Sequence, residues 1–212
     1  MFIKKILIII RENFVSLGLK LAIVTGGLIL FLGRAWAGED AFIFFRYVDN
    51  FLGGYGLVFN LGERVEGFTA PLWVFVLSFL HLITGFELRP LSIFFGLFLS
   101  SLAILLILFF DNSRKIFFPL GVLILITNSA FRDFATSGFE TSLTYLLLVS
   151  FALLVKKGSA GKYSGLTGLL IAFLVLNRPE AFLLLLYLTG WWLLRIVGEF
   201  LKKQRPAAGK LT

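Results

Sequence analysis

Residues 38 to 49 read GEDAFIFFRYVD, which sets two adjacent carboxylates, Glu39 and Asp40, directly after a stretch apolar enough to enter a bilayer. A carboxylate at the boundary between water and membrane can accept a proton from a reacting hydroxyl. It can also do no more than begin a helix that lies along the surface. Three later pieces carry further charge in short, position-specific patterns. GGYGLVFNLGERVEGFTAPLW (53 to 73) holds Asn60 and puts Arg64 between Glu63 and Glu66, with glycines dense enough for tight turns and close backbone approach. FRDFATSGFET (131 to 141) carries Arg132, Asp133 and Glu140, with Ser137 in position to cap a helix. NRPE (177 to 180) places Arg178 and Glu180 around Pro179 at a helix start. Taken singly, each has a plain reading as a surface loop, a cap or a turn.

Those pieces are separated by apolar runs, and the composition says what the runs are. The chain has 212 residues, 58% hydrophobic and only 15% charged, where soluble domains carry roughly 25% charged residues. An integral membrane protein is expected. Cysteine is absent and His81 is the single histidine, so disulfides and Cys/His metal sites are excluded. His81 lies on an apolar segment, where a packed or interfacial histidine is the ordinary case. Carboxylate oxygens could hold a divalent ion, but no ligand spacing demands one. No cofactor is therefore expected. The net charge of +8 comes in short basic clusters between apolar runs, which is a cytoplasmic-loop bias and not a nucleic-acid footprint.

About 20 apolar residues cross a ~30 Å hydrocarbon core, and the runs 17–37, 90–110, 116–131, 141–155, 163–177 and 181–199 are the expected spans. Ala35-Trp36-Ala37 fits a signal-peptidase pattern, but Lys4, Lys5, Arg11 and Lys20 spread over a long preceding segment and Arg34 at the cleavage region favour an uncleaved first span. Segment 69–85 is decided by parity. If it crossed fully, Arg114-Lys115, Lys156-Lys157-Lys162 and the tail Lys202-Lys203-Arg205-Lys210 would all face outward, against the positive-inside rule. It is therefore read as interfacial or re-entrant, and Glu39, Asp40, Asp49, Glu63, Glu66, Asp133, Glu140 and Glu180 then share the outer face. The expected fold is an all-α polytopic membrane protein of about six transmembrane helices, with interfacial or re-entrant helices in the first outer loop. It forms one transmembrane domain over 1–212, with 1–16 a cytoplasmic N-terminus, 38–89 the outer loop and 200–212 a cytoplasmic tail. Within 39–52, Glu39, Arg46 and Asn50 fall close to one stripe of a helix, which predicts a polar face turned up toward water.

In order and combination, EDAFIFFRYVDN, GYGLVFNLGERVEGFTAPLW, TSGFET and NRPE resemble the N-terminal half of GT-C glycosyltransferases, in particular the group that contains the terminal arabinofuranosyltransferase of cell-wall arabinan. The resemblance implies a multi-pass enzyme of the inner membrane that moves a sugar from a polyprenyl-phosphate donor to a glycan or lipid acceptor on the non-cytoplasmic face. It implies that Glu39-Asp40 supplies the catalytic base; the family's pair more often begins with Asp, so either residue can be the base. Ser137-Gly138-Phe139-Glu140 stands where the family has Ser-Gly-Leu-Glu, and Arg178-Pro179-Glu180 matches its Arg-Pro-Glu. The leaving lipid phosphate suits an arginine fork, which makes Arg46, Arg64, Arg132 and Arg178 candidates, with Asn60, Glu66, Glu140 and Glu180 as further substrate contacts.

Family members run through several more spans, so the resemblance implies a partial copy, a split protein or a fragment whose C-terminal half is missing, inactive on its own. Two other readings stand beside it: half of a transporter or flippase for a lipid-linked substrate, and a non-catalytic assembly subunit. Translocation paths place polar residues inside spans, whereas these spans are almost free of charge. Nucleic acid is not an expected partner, and membrane lipid is.

Overall fold

The computed structural model describes residues 2–63, 65, 67–110, 120–156, 164–183, 186, 187, 190, 194 and 197. Every regular element among them is helical. Helix α1 is Phe2–Leu32, α2 is Glu39–Leu52, α3 is Pro71–Thr84, α4 is Leu88–Phe110, α5 is Leu120–Thr127, α6 is Ser129–Ala135, α7 is Thr141–Lys156 and α8 is Ser164–Asn177, followed by a 3-10 turn at Pro179–Ala181. Residues expected as a cytoplasmic N-terminus are thus continuous with the first apolar helix.

Among the described residues one helix, Leu88–Phe109 in α4, is long and apolar enough to cross a membrane: 22 residues at a mean hydropathy of 2.6, or ~33 Å at 1.5 Å per residue. The apolar stretches Ser16–Leu32, Pro71–Thr84, Thr141–Val155 and Gly165–Asn177 are shorter. The expected span 116–131 is not one helix. Asn128 takes an extended conformation and its side chain accepts a hydrogen bond from Phe131 N at 3.1 Å, which ends α5 and caps α6. Of 181–199 only 181–183, 186, 187, 190, 194 and 197 are described, and Arg114-Lys115 and the tail 200–212 lie outside the described residues.

Two apolar clusters share α4. Its first half contributes Leu88, Leu91 and Leu99 to a core with Phe44, Tyr47 and Val48 of α2, Trp73 and Leu77 of α3, Leu147 of α7 and Leu174 of α8. Its second half contributes Ile104 and Leu108 to a core with Ile23 and Phe31 of α1 and Val122 and Ile126 of α5. Between these, Ser92, Gly96 and Ser100 recur every four residues, so they line one face. Both serines are fully buried. A Cβ at Gly96 would stand 2.9 Å from the carbonyl oxygen of Ala135. Small residues at this spacing let backbones approach, and here they let the chain from 135 to 142 sink onto α4.

The helix ends gather in a consistent way. Trp36, just past α1, bonds Asp133 beyond the middle of α6, while the Lys20 ammonium lies 4.9 Å from the Phe109 ring at the far end of α4. Asn177 at the end of α8 bonds Glu140 before α7. The starts of α2, α4 and α7 and the ends of α1 and α8 therefore lie together at one end of the bundle.

Candidate active site

The site is built where two loops press together at that end. Gly38 is extended, and its N–H donates to Ser137 O at 2.9 Å. A Cβ on Gly38 would overlap the Phe139 ring. Gly138 has φ +82°, in the left-handed region that a side chain rarely adopts, and a Cβ there would also crowd Ala41 of α2 at 3.0 Å. The Gly138 carbonyl accepts from the buried Trp73 Nε1 at 3.0 Å. Two glycines and one indole thus set the Ser-Gly-Phe-Glu loop against the first turn of α2, where Glu39 and Asp40 are exposed.

Glu140 is 5% exposed. Its Oε1 lies 2.8 Å from Arg178 Nε. Arg178 Nη2 donates to Thr141 Oγ1 at 3.3 Å, and Nη1 is 3.9 Å from Glu180 Oε1. Burial pushes the Glu140 carboxyl above its ordinary range; a bond from its own main-chain N–H and the Arg178 charge pull it back, and the charges of Glu180 and Asp40 push it further up. The buried Asn177 donates to Glu140 O at 3.0 Å and to Thr144 Oγ1 at 2.9 Å, fastening α8 to α7 beneath this cluster. Glu140, Arg178 and Glu180, read from two separate motifs, meet here, and the loop that carries Glu140 packs against the first turn of α2, where Glu39 and Asp40 stand.

Other candidates sit elsewhere. Arg46 is exposed on α2 and its Nε donates to Phe59 O at 3.2 Å; Asn60 donates to Glu63 Oε2 at 3.1 Å. Both serve the loop after α2. Arg132 is half-buried on α6, and its buried Nε has no hydrogen-bond partner among the described residues. Arg64 and Glu66 lie outside the described residues. The upward polar stripe of α2 is corrected at Asn50, which is 6% exposed and donates to Val58 O at 2.8 Å and Phe59 O at 3.0 Å. A loop without secondary structure must satisfy its carbonyls somehow, and Asn50 does so from inside. Tyr47, also buried, donates to Val65 O at 2.7 Å and accepts from Gly67 N at 2.9 Å. Ser137 does not cap α7: its hydroxyl serves Phe134 O and Phe139 N within the loop, and the first bond of α7 runs from Thr144 N to Glu140 O.

Sequence reasoning passed over Asn177, Thr141 and the indoles of Trp36 and Trp73. Asn177 stood in the quoted NRPE but reads as a turn residue. Among the described residues no group of three or more His, Asp and Glu side chains is drawn together in a way that could hold a metal ion.

This chain is similar to two curated proteins named terminal beta-(1->2)-arabinofuranosyltransferase. That of Corynebacterium glutamicum is 33% identical over 162 residues, which cover 72% of this chain and 24% of the relative. That of Mycobacterium tuberculosis is 34% identical over 125 residues, 54% of this chain and 20% of the relative. The resemblance to the terminal arabinofuranosyltransferase group read from the motifs therefore holds. The chain spans about a quarter or less of the length of these relatives. No family profile matches the chain, and no solved structure does.

Proposed function

We propose that this chain is the N-terminal, site-bearing part of a GT-C-type glycosyltransferase of the cell envelope, a multi-pass protein of the inner membrane that transfers a sugar from a polyprenyl-phosphate donor to a glycan or lipid acceptor on the non-cytoplasmic face. The observation that carries the reading is the Glu140–Arg178–Glu180 cluster set beside the exposed Glu39-Asp40 turn of α2 at one end of an apolar helical bundle. The likeness to two arabinofuranosyltransferases supports a pentose as the sugar.

In this reading six spans cross the membrane, with α5 and α6 making one broken crossing. The 14-residue α3, ~21 Å long, lies at the outer interface instead of crossing. Its exposed Phe75, Phe79, Leu82 and Ile83 face acyl chains. Support for the parity comes from the gathered helix ends. The carboxylates lie at one end, and Lys156, which closes α7, lies at the other.

The chemistry is a substitution at the anomeric carbon. The acceptor oxygen bonds to that carbon, the carbon–oxygen bond to phosphate breaks, and the lipid phosphate leaves with the electron pair. The acceptor proton passes to a carboxylate. Asp40 is assigned as that base on position: it is exposed and adjoins Ala41, which packs against Gly138 of the loop that carries Glu140. Arg178, held by Glu140 from behind, would turn toward the leaving phosphate when Glu180, exposed and 3.9 Å away, gives way.

The test is transfer of label from a polyprenyl-phosphate pentose in membranes holding the complete protein. Asp40→Asn is expected to lower the rate ~10² to 10⁴-fold and Glu39→Gln less than about tenfold. If the double substitution stays within about threefold of the parent, the assignment of the pair as base is wrong.

A further inference from the structure

Beside the carboxylate cluster lies an open hollow of about 280 Å³ lined by Arg34, Trp36 and Asp133. None of these three entered the chemistry above. We propose that this hollow is a subsite for one neutral sugar ring of the acceptor glycan, seated on the Trp36 indole and hydrogen-bonded by Arg34 and Asp133.

The indole is fixed before anything binds. Its Nε1 donates to Asp133 O at 2.8 Å, and its ring meets Phe139 edge-on at 6.4 Å between centroids. Even so anchored, Trp36 is 44% exposed. A flat, immobile aromatic face left open to solvent suits the C–H-rich face of a sugar, whose partial positive hydrogens match the negative face of the ring. Among the described residues, no hydrogen bond or ion pair holds the Arg34 guanidinium or the Asp133 carboxylate. One offers only donors and the other only acceptors, and sugar hydroxyls are both. An anion is disfavoured, because the Asp133 carboxylate in the same lining would repel it. This separates the hollow from the Arg178 side, where a phosphate is expected.

Position supports the acceptor over the donor. Trp36 precedes Asp40 by four residues, which cannot span more than ~14 Å, a gap that a ring or two bridges. The volume sits at the lower edge of small-ligand sites, ~300 to 1,000 Å³, so the hollow takes a single ring while the rest of the glycan stays in water.

The word acceptor rests on the glycosyltransferase reading; the binding of a sugar ring does not. The purified 212-residue chain in lipid nanodiscs is titrated with a linear pentofuranose tetrasaccharide and followed by saturation-transfer NMR. Trp36→Ala and Asp133→Ala are each expected to weaken binding about tenfold or more. Tyr55→Ala, an exposed aromatic of the loop after α2, leaves it unchanged. Asp133→Ala keeps the main-chain carbonyl that anchors Trp36, so its loss of binding is not a loss of the loop. The assignment is overturned if the parent chain does not bind the tetrasaccharide, if both variants bind like the parent, or if inorganic phosphate displaces the saccharide through Arg34. In the complete enzyme the two claims come apart. Transfer that needs Asp40 but ignores Trp36→Ala and Asp133→Ala removes the subsite and leaves the enzyme reading. Saccharide binding at the hollow with transfer indifferent to Asp40→Asn does the reverse.

Discussion

Arg178 Nε lies 2.8 Å from Oε1 of Glu140, joining the residue after α8 to the residue before α7. The carboxylate is nearly buried whereas the Arg178 side chain is 37% exposed, so the cation reaches water and its partner does not. Removing either member therefore has unequal consequences.

Arg178→Gln strands a buried carboxylate. In a fully buried pair this costs ~3 to 5 kcal/mol; here about 2 kcal/mol is expected, because the arginine is partly solvated and Glu140 can take up a proton instead. Glu140→Gln in the same chain should return part of that loss. Thermal unfolding of the two single variants and the double variant in detergent measures the coupling, and additive losses would contradict it.

The pH dependence follows from the raised Glu140 carboxyl. Between its ordinary value of 4.5 and the raised one, the folded chain holds a proton that the unfolded chain releases, so stability falls as pH rises through that window and levels off above it. Glu140→Gln should remove this slope and leave the chain at least as stable as the parent at neutral pH. Midpoints of thermal unfolding recorded from about pH 4 to about pH 8 bracket the window. A stability that rises with pH in the parent, with no change in slope on substitution, is the contrary result.

Gly38→Ala should push the Phe139 ring away and with it the loop that carries Glu140. We expect ~1 to 3 kcal/mol of destabilisation and a loss of transfer, as for other overpacked sites. Phe139→Ala in addition should restore stability relative to Gly38→Ala alone. A double variant no better than the single one would mean that the ring is not the obstacle.

Topology can be read with single cysteines, since the chain has none of its own. With an impermeant thiol reagent on intact cells, Tyr55→Cys is expected to label and Ser159→Cys to label only after permeabilisation. Position 137 would be a poor reporter, because Ser137 is fully buried.

The charged motifs were legible because each combines residues that a plain helix would not choose: paired acids, a Gly between Ser and an aromatic, and a Pro between opposite charges. Their convergence could not be read from any one of them. It depends on Gly38, Gly138 and Trp73, whose roles exist only across contacts between segments distant in sequence. Asn50 was misread because the period of a helix says which residues share a face and not which side that face turns to. The break at Asn128 left no glycine or proline as a signal; a side-chain amide capping the next helix replaced them. Ser92 and Ser100 look incidental within an apolar run, and their smallness acts only once the chain from 135 to 142 lies against them.

From 133 to 138 that chain is held by its carbonyl oxygens. Trp36 takes that of Asp133, Ser137 that of Phe134, Ser100 that of Ala135, Gly38 that of Ser137 and Trp73 that of Gly138. Where the grip is on the backbone and the side chain points outward, as at Phe134, substitution is tolerated, whereas a change in the number of residues is not. A library of point variants at Phe134 should thus be populated by working proteins. A single inserted residue anywhere from 133 to 138 would turn every later carbonyl away from its donor and undo the whole arrangement at once.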